Sequence, residues 1–277
     1  MWELLTYGFM QRAFLAGTVI GIVCAVIGVY VVLRGMAFIG TGIAHAAFGG
    51  VALGFFLGVN PTLSAVVFCV LVGWGIGGVA RSGAVREDTA VGIFFAATMA
   101  LGILIIGLSQ GYTMDLFSYL FGSILAVTPT DVWLTLGLGA VVLLTVAVFA
   151  KELLFITFDP EMAQVSGVPA GPLYFLLITL IAVTVVLAIK VVGIVLVSAL
   201  LVIPAAAAWQ LAHRFYTMMA LAVVFGVVST TGGLVLSYML NTASGATIVL
   251  VATGLFFAVT FATAQRNRFF PRRRQVA

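Results

Sequence analysis

Long apolar runs separated by short polar links set the pattern of this chain. A helix needs about 20 apolar residues to cross a bilayer, and nine runs approach or exceed that length. They predict transmembrane helices near residues 13–33, 38–58, 62–80, 89–109, 131–150, 172–190, 192–211, 216–239 and 246–264. The expected fold is an all-α polytopic membrane protein with about nine spans, or eight if two of the shorter runs are re-entrant.

Three further segments complete what we interpret as one transmembrane domain over residues 1–277. Residues 114–129 are apolar but too short to span, so we predict a re-entrant or interfacial helix there. Residues 1–12 lack the basic region and cleavage site of a signal peptide, and we expect them to lie in the membrane interface. Residues 265–277 form a basic tail.

The largest polar stretch, residues 151–171, joins the fifth and sixth spans. Asp159, Pro160 and Glu161 are typical of a helix start, because they supply a cap, a suitable first-turn residue and a charge that complements the helix dipole. Gly167 is typical of a helix end. A loop would suffice to join two spans, so a helix here indicates a docking partner; the alternative is a solvated connector.

The composition excludes a soluble protein. Of the 277 residues, 64% are hydrophobic and 7% are charged, with a mean hydropathy of +1.30, whereas soluble domains carry about 25% charged residues. The net charge of +4 does not indicate nucleic-acid binding, because the basic residues lie at the ends of apolar runs. If the 151–171 connector and the C-terminus are cytoplasmic, ten of the twelve basic residues are cytoplasmic, which predicts an external N-terminus.

One of only two histidines, His45, lies near the middle of the second span. The surrounding stretch, RGMAFIGTGIAHAAFGGVALGFFLG over residues 34–58, has no formal charge after Arg34. An imidazole is costly in hydrocarbon and usually faces a bundle interior or a water-filled path. His45 is therefore a functional candidate, the alternative being a hydrogen-bonded packing residue. Thr41 lies one turn earlier and is expected to share its face.

The motifs of several other functions are absent from the sequence. No Gly-Lys pair occurs, so the phosphate-binding loop of ATPases is missing, and ATP would have to be bound by another chain. A membrane enzyme would need several catalytic groups at one depth, and one histidine with a threonine falls short. An ion-coupled secondary transporter would need an acidic residue central in a span, and none of the eight is placed there.

The stretch RGMAFIGTGIAHAAFGGVALGF resembles the hallmark of permeases from the manganese, zinc and iron ABC importer family, whose pattern is near RGMSxxGDAxSHAxxPGVA. Three further stretches match in order: DLFSYLFGSILAVTPTD, VVGIVLVSALLVIPAAAA and SGATIVLV. FDPEMAQVSGV also fits, with Glu161, Ala163 and Gly167 at the spacing of the helix that engages the ATPase. The resemblance covers nearly the whole chain.

The resemblance implies a multi-pass permease of a prokaryotic plasma membrane, surrounded by membrane lipid, that does no covalent chemistry and binds no cofactor or nucleic acid. Its implied partners are a cytoplasmic ATP-binding subunit, an extracytoplasmic metal-binding protein, and a second permease copy, identical or related. The implied substrate is a divalent metal ion, and a metal chelate such as a siderophore is the alternative within the class. Asp115 could meet the incoming cation or the binding protein at the outer face, or could equally cap its helix.

This sequence departs from the family pattern at a position that matters chemically. The family aspartate that precedes the histidine is Thr41 here; Ala44, Gly49 and Ala243 replace serine, proline and proline. A two-fold pair of chains would then offer two imidazoles and two hydroxyls instead of carboxylates. Because manganese prefers carboxylate oxygens and imidazole suits zinc, we expect Thr41 and His45 to favour zinc, with manganese or iron possible.

Overall fold

The structure is a computed structural model that describes residues 8–108, Leu120, Gly122 and residues 127–269; for Lys190 and residues 266–269 it describes the backbone alone. The described residues form eleven helices: α1 (Gly8–Leu33), α2 (Ala37–Phe56), α3 (Pro61–Arg81), α4 (Glu87–Leu108), α5 (Pro129–Val148), α6 (Ala150–Phe158), α7 (Pro160–Val165), α8 (Ala170–Val192), α9 (Ile194–Leu211), α10 (Phe215–Leu240) and α11 (Ser244–Phe269). No strand occurs within these ranges, and the predicted all-α class is confirmed.

Nine helices in the described ranges are long and apolar enough to cross a bilayer, in agreement with the nine predicted spans. The first helix is longer than predicted, because α1 begins at Gly8 and takes in residues 8–12. The connector between α5 and α8 contains two helices, although only α7 was predicted. The helix predicted within residues 114–129 lies outside the described residues, except for Leu120, Gly122 and residues 127–129.

Side-chain caps fix the starts of two spans. Asn60 accepts hydrogen bonds from two backbone N–H groups in the first turn of α3, at 3.0 and 3.2 Å. At the start of α5, the Asp131 N–H donates to the Thr128 hydroxyl at 3.2 Å and the Thr128 N–H donates to the Asp131 carboxylate at 3.0 Å. Asp131 is only 8% exposed, and this reciprocal cap accounts for a buried acid at a helix end.

Burial separates a central group of helices from a peripheral group. In each of these helices we consider the 18 consecutive residues with the highest mean hydropathy. Of these residues, 72% are buried in α2 and in α8, against 22% in α4 and in α11. The central helix α2 packs against α3, α4, α8 and α9. The helix that carries His45 is therefore held on several sides, whereas its neighbour α4 leaves most of its own surface uncovered by the rest of the described chain.

Close approach between helices depends on small residues. A Cβ atom on Gly28 of α1 would overlap the backbone carbonyl oxygen of Leu201 in α9. A Cβ on Gly21, two turns earlier, would lie 2.9 Å from the carbonyl oxygen of Gly226 in α10. Such close backbone contacts are how membrane helices gain packing energy without a hydrophobic driving force between them, and they hold α1 against α9 and α10.

Candidate functional site

Thr41 and His45 lie on one face of α2. Both side chains are half-buried, whereas residues 42–44 and 46–52 are buried. The four-residue spacing places the two side chains one above the other along the helix. This geometry agrees with the predicted shared face, with the hydroxyl-bearing Thr41 one turn before the imidazole of His45 along α2.

The imidazole of His45 is oriented by a hydrogen bond within its own helix. Its Nδ1 lies 2.9 Å from the backbone carbonyl oxygen of Thr41. A carbonyl oxygen can only accept, so Nδ1 carries the proton, and in the neutral ring Nε2 keeps its lone pair. Metal-binding histidines commonly fix their tautomer by such a bond from the other ring nitrogen. The bond satisfies half of the ring and leaves Nε2 as the nitrogen suited to a cation.

A second contact on His45 comes from α4. The ring of Phe95 meets the imidazole edge-on, with centroids 4.6 Å apart and planes at 65°. Aromatic pairs favour this tilted geometry, so the contact with Phe95 further restricts the orientation of the imidazole ring. Sequence reasoning missed Phe95, because one phenylalanine among 22 carries no signal until the helices are packed.

One chain supplies few ligands at this point. No group of three or more His, Cys, Asp or Glu residues that could hold a metal ion occurs in the described part of the chain. Both cysteines are buried and unbridged, and Cys69 lies 3.5 Å from the Ile43 carbonyl, where it packs against α2. Zinc takes about four protein or water ligands, so Thr41 and His45 of a single chain leave the set incomplete.

The surface beside His45 is apolar and rich in small residues. On α4, Gly92, Ala96 and Ala100 are exposed at four-residue spacing, and Ile93 and Leu104 are 55% and 61% exposed. A Cβ on Gly92 would meet no atom of the described chain within 4 Å. Small residues at this spacing let another helix approach closely, so the α4 face can accept either lipid or a second protein surface.

The predicted helix in the polar connector is present as α7. The Asp159 carboxylate accepts a hydrogen bond from the Met162 N–H at 2.8 Å, and Pro160 occupies the first turn. At the other end, Gly167 has a φ of 83°, and the Val168 N–H donates to the Ala163 carbonyl at 2.9 Å. This is a Schellman termination, in which glycine adopts the left-handed conformation at low cost. Both ends of α7 are therefore fixed by the residues that predicted them.

The outer face of α7 is unusually apolar for a polar connector. Ala163 is fully buried and anchors the helix, whereas Glu161 is exposed together with Met162 and Val165, which are 55% and 83% exposed. Phe158, just before α7, is 66% exposed. These three side chains lie close together in the sequence, and exposed apolar surface that is grouped in this way commonly marks a protein interaction site. Of the three predicted coupling residues, Glu161 and Gly167 lie on the surface, and Ala163 holds that surface in place.

Asp115, the predicted contact at the outer face, lies outside the described residues. The other histidine, His213, is exposed in the link between α9 and α10, beside the exposed Arg214. It lies in a different part of the chain from the α2 face.

Comparison with known proteins gives one consistent result. The sequence profile of the ABC 3 transport family matches residues 6–263. The chain is 44% identical over 259 residues to the manganese transport system membrane protein MntC of Halalkalibacterium halodurans, covering 94% of this chain and 89% of that protein. It is 36% identical over 250 residues to the high-affinity zinc uptake system membrane protein ZnuB of Haemophilus influenzae, covering 90% and 95%.

The fold also matches a solved structure. A chain in the structure of PsaBC from Streptococcus pneumoniae in complex with Fab superposes with a TM-score of 0.84 at 38% identity, covering 92% of each chain. The similarity therefore extends from sequence to the arrangement of nearly all the described helices.

Proposed function

The chain belongs to the ABC 3 transport family, and from that premise we propose that it is the membrane permease of an ATP-driven importer for a divalent transition metal ion. The observation that carries the proposal is the α2 face. There a mid-membrane imidazole has one nitrogen tied to the Thr41 carbonyl and the other chemically suited to a cation. Relatives named for manganese and zinc transport support an ion as the cargo in preference to a chelate.

The incomplete ligand set supports a second copy of the chain in the working transporter. Two copies related by a two-fold axis would bring two Thr41 hydroxyls and two His45 imidazoles to one point, which doubles the donors that a single chain offers. The uncovered face of α4 adjoins His45 through Phe95, so a partner packed on that face would also close the metal path from lipid. Closure from lipid is needed because a divalent cation cannot travel along hydrocarbon.

The exposed apolar face of α7 supports an ATP-binding subunit as the cytoplasmic partner. The permease chain has no phosphate-binding loop, so the energy of ATP has to arrive through a docked surface. Glu161, Met162 and Val165 provide that surface, with Ala163 as its anchor. A binding protein would deliver the ion at the opposite ends of the spans.

Two opposing arguments bear on the identity of the ion. The names of the more similar relatives favour manganese, whereas the hydroxyl and imidazole donors of this chain favour zinc. A neutral donor set offsets little of a divalent charge, so either ion would dwell only briefly at Thr41 and His45. Brief dwell is compatible with conduction, since an ion has to leave each site it enters.

A secondary transporter is less consistent with these features. Among the described residues, the buried acid Asp131 lies in the first turn of α5 and is used by its own helix cap. A coupling ion would need an acid nearer the middle of a span, and the described spans place none there.

The test is metal uptake into vesicles that contain this permease with its ATP-binding subunit and binding protein, comparing manganese with zinc. His45→Ala is expected to lower uptake at least about 10-fold, since even the loss of an outer-shell partner costs metal sites 10- to 100-fold in affinity. His213→Ala, at the other histidine, is the matched control and is expected to keep uptake. Normal uptake by His45→Ala in an intact complex would remove His45 from the metal path.

A further inference from the structure

Three arginines converge on a cavity beside α7. The cavity has a volume of about 350 Å³, and its walls include Arg34 from the α1–α2 link, Arg81 from the end of α3, and Arg86 just before α4. Pro160, Glu161 and Gln164 of α7 form another wall. The tendency of basic residues to remain on the cytoplasmic side explains their side of the membrane. It does not explain why three residues from separate segments meet in one cavity.

Aromatic rings hold two of these guanidinium groups without neutralising them. Arg34 lies over the ring of Tyr174 in α8, 5.1 Å from the centroid. Arg81 lies 5.9 Å from the centroids of both Tyr174 and Phe175, and it covers Gly171, where a Cβ would lie 2.8 Å from Arg81 Nη1. Stacking of this kind orients a guanidinium but supplies no hydrogen-bond acceptor in its plane.

The positive charge in the cavity is left partly unmatched. The Nη1 atom of Arg34 is buried and has no hydrogen-bond partner. Burial lowers the pKa of Arg34; Tyr174 and Glu87 oppose that change and Arg81 adds to it. Glu87 lines the same cavity, but it makes no hydrogen bond to Arg34 Nη1, and its own Oε1 atom is likewise buried without a partner. A buried donor without an acceptor is costly, and the planar arginine fork is shaped for a carboxylate.

We propose that the cavity receives an acidic side chain, Asp or Glu, of the ATP-binding subunit. This inference rests on the proposed function. The wall formed by α7 favours the ATP-binding subunit as the source of the carboxylate, because Pro160, Glu161 and Gln164 line the cavity and a subunit docked on α7 would lie beside it. The lining carries three arginines against two carboxylates, Glu87 and Glu161, so one further negative charge would balance it.

Such a contact would connect the ATPase to the metal helix directly. Arg34 follows α1 and leads into α2, which carries His45, and Arg86 leads into α4, which carries Phe95. An acidic side chain bound among Arg34, Arg81 and Arg86 would join the bases of α2 and α4 to α7. Withdrawal of that side chain would release them.

The test is the Kd of the purified ATP-binding subunit for the permease in nanodiscs of neutral lipid. Arg86→Glu is the main variant, because Arg86 is exposed and its replacement is expected to leave folding intact. The expected loss is about 10-fold or more in affinity, as for other interfacial charge pairs that lose one member. Arg86→Lys is expected to retain most of the binding. The control Arg214→Gln neutralises an exposed arginine outside the cavity and is expected to bind as wild type.

Each other outcome decides against the inference. Wild-type affinity of Arg86→Glu, or an equal loss in Arg214→Gln, would overturn it. The same Kd is measured in nanodiscs that contain anionic phospholipid. If Arg86→Glu loses affinity for the ATP-binding subunit only in those nanodiscs, the cavity binds a lipid headgroup instead. If the wild-type permease binds no ATP-binding subunit at all, the proposed function itself fails together with this inference.

A charge exchange provides a readout that a purely structural role would not change. Each exposed Asp or Glu of the ATP-binding subunit near its permease-facing surface is replaced by Lys in turn, and binding to Arg86→Glu is measured. Restored affinity with one of these variants, specific to Arg86→Glu, is expected and identifies the partner carboxylate. Absence of any such rescue contradicts a direct pair at Arg86.

Discussion

Residue 41 sets the charge at the candidate metal site. Thr41 is half-buried one turn from His45, so an aspartate there would bring a carboxylate beside the imidazole. Because carboxylate oxygen suits manganese more than zinc, Thr41→Asp is expected to raise the ratio of manganese to zinc uptake several-fold, measured with equal concentrations of both ions in one vesicle preparation.

Thr41→Asn is the matched control for this prediction. It has nearly the shape of aspartate and an oxygen donor, but no charge. If Asn changes the uptake ratio as much as Asp, the effect comes from size or polarity, and the charge argument is wrong. If neither variant changes the ratio, residue 41 is not a ligand of the passing ion.

At the residue scale, sequence spacing predicts what lies on one helix and misses what packing creates. The shared face of Thr41 and His45 follows from their four-residue spacing. The contact of His45 with Phe95 joins two helices, and the convergence of Arg34 with Arg81 joins the α1–α2 link to the end of α3. No periodicity in a single sequence encodes such distances, because they depend on how helices pack against each other.

At the scale of elements, the contact between α1 and α9 is expected to be intolerant of added volume at Gly28. A Cβ there would overlap the Leu201 carbonyl, which is backbone and cannot turn aside. Overpacking of a filled interface typically costs about 1–3 kcal/mol, so Gly28→Ala should lower the thermal unfolding midpoint of the detergent-solubilised permease. Gly78→Ala is the control, because its Cβ would meet nothing within 4 Å.

An unchanged midpoint for Gly28→Ala would show that α1 and α9 can separate at no cost. A fall in both variants would point to glycine flexibility in general instead of to this contact. Alanine in an exposed helix is more stable than glycine by about 0.5–1 kcal/mol, so Gly78→Ala is expected to be neutral or slightly stabilising.

The spans were predictable because about 20 consecutive apolar residues have few alternatives in a bilayer. The ends of α7 were predictable because Asp159, Pro160 and Gly167 each have a specific role at a helix terminus. The helix α6 was missed. It lies between two predicted elements, is only nine residues long, and has no side-chain cap at its start, so its sequence carries neither a span-length run nor a boundary signal.

For the whole molecule, the uncovered face of α4 is the feature that the described chain leaves unexplained. A helix that faces lipid needs no protein partner. However, α4 borders His45 through Phe95, and only 22% of its 18 most apolar consecutive residues are buried. If this face of α4 bordered both the ion pathway and lipid, the hydrocarbon would leave the pathway unsealed or would exclude the ion from it. From the proposed function we therefore predict that the single chain is half of a transport unit.

This interpretation predicts a specific defect for Ala96→Trp. Ala96 is exposed in the middle of the small-residue row on α4, and an indole there would prevent close approach of a second copy. The fraction of dimeric permease, measured by light scattering in detergent, should fall well below that of wild type. Ala147→Trp is the control, since Ala147 is exposed on α5 and tryptophan is tolerated toward lipid or detergent. Equal dimer fractions for both variants would place the interface elsewhere, and the paired donor set of Thr41 and His45 would then lose its geometric basis.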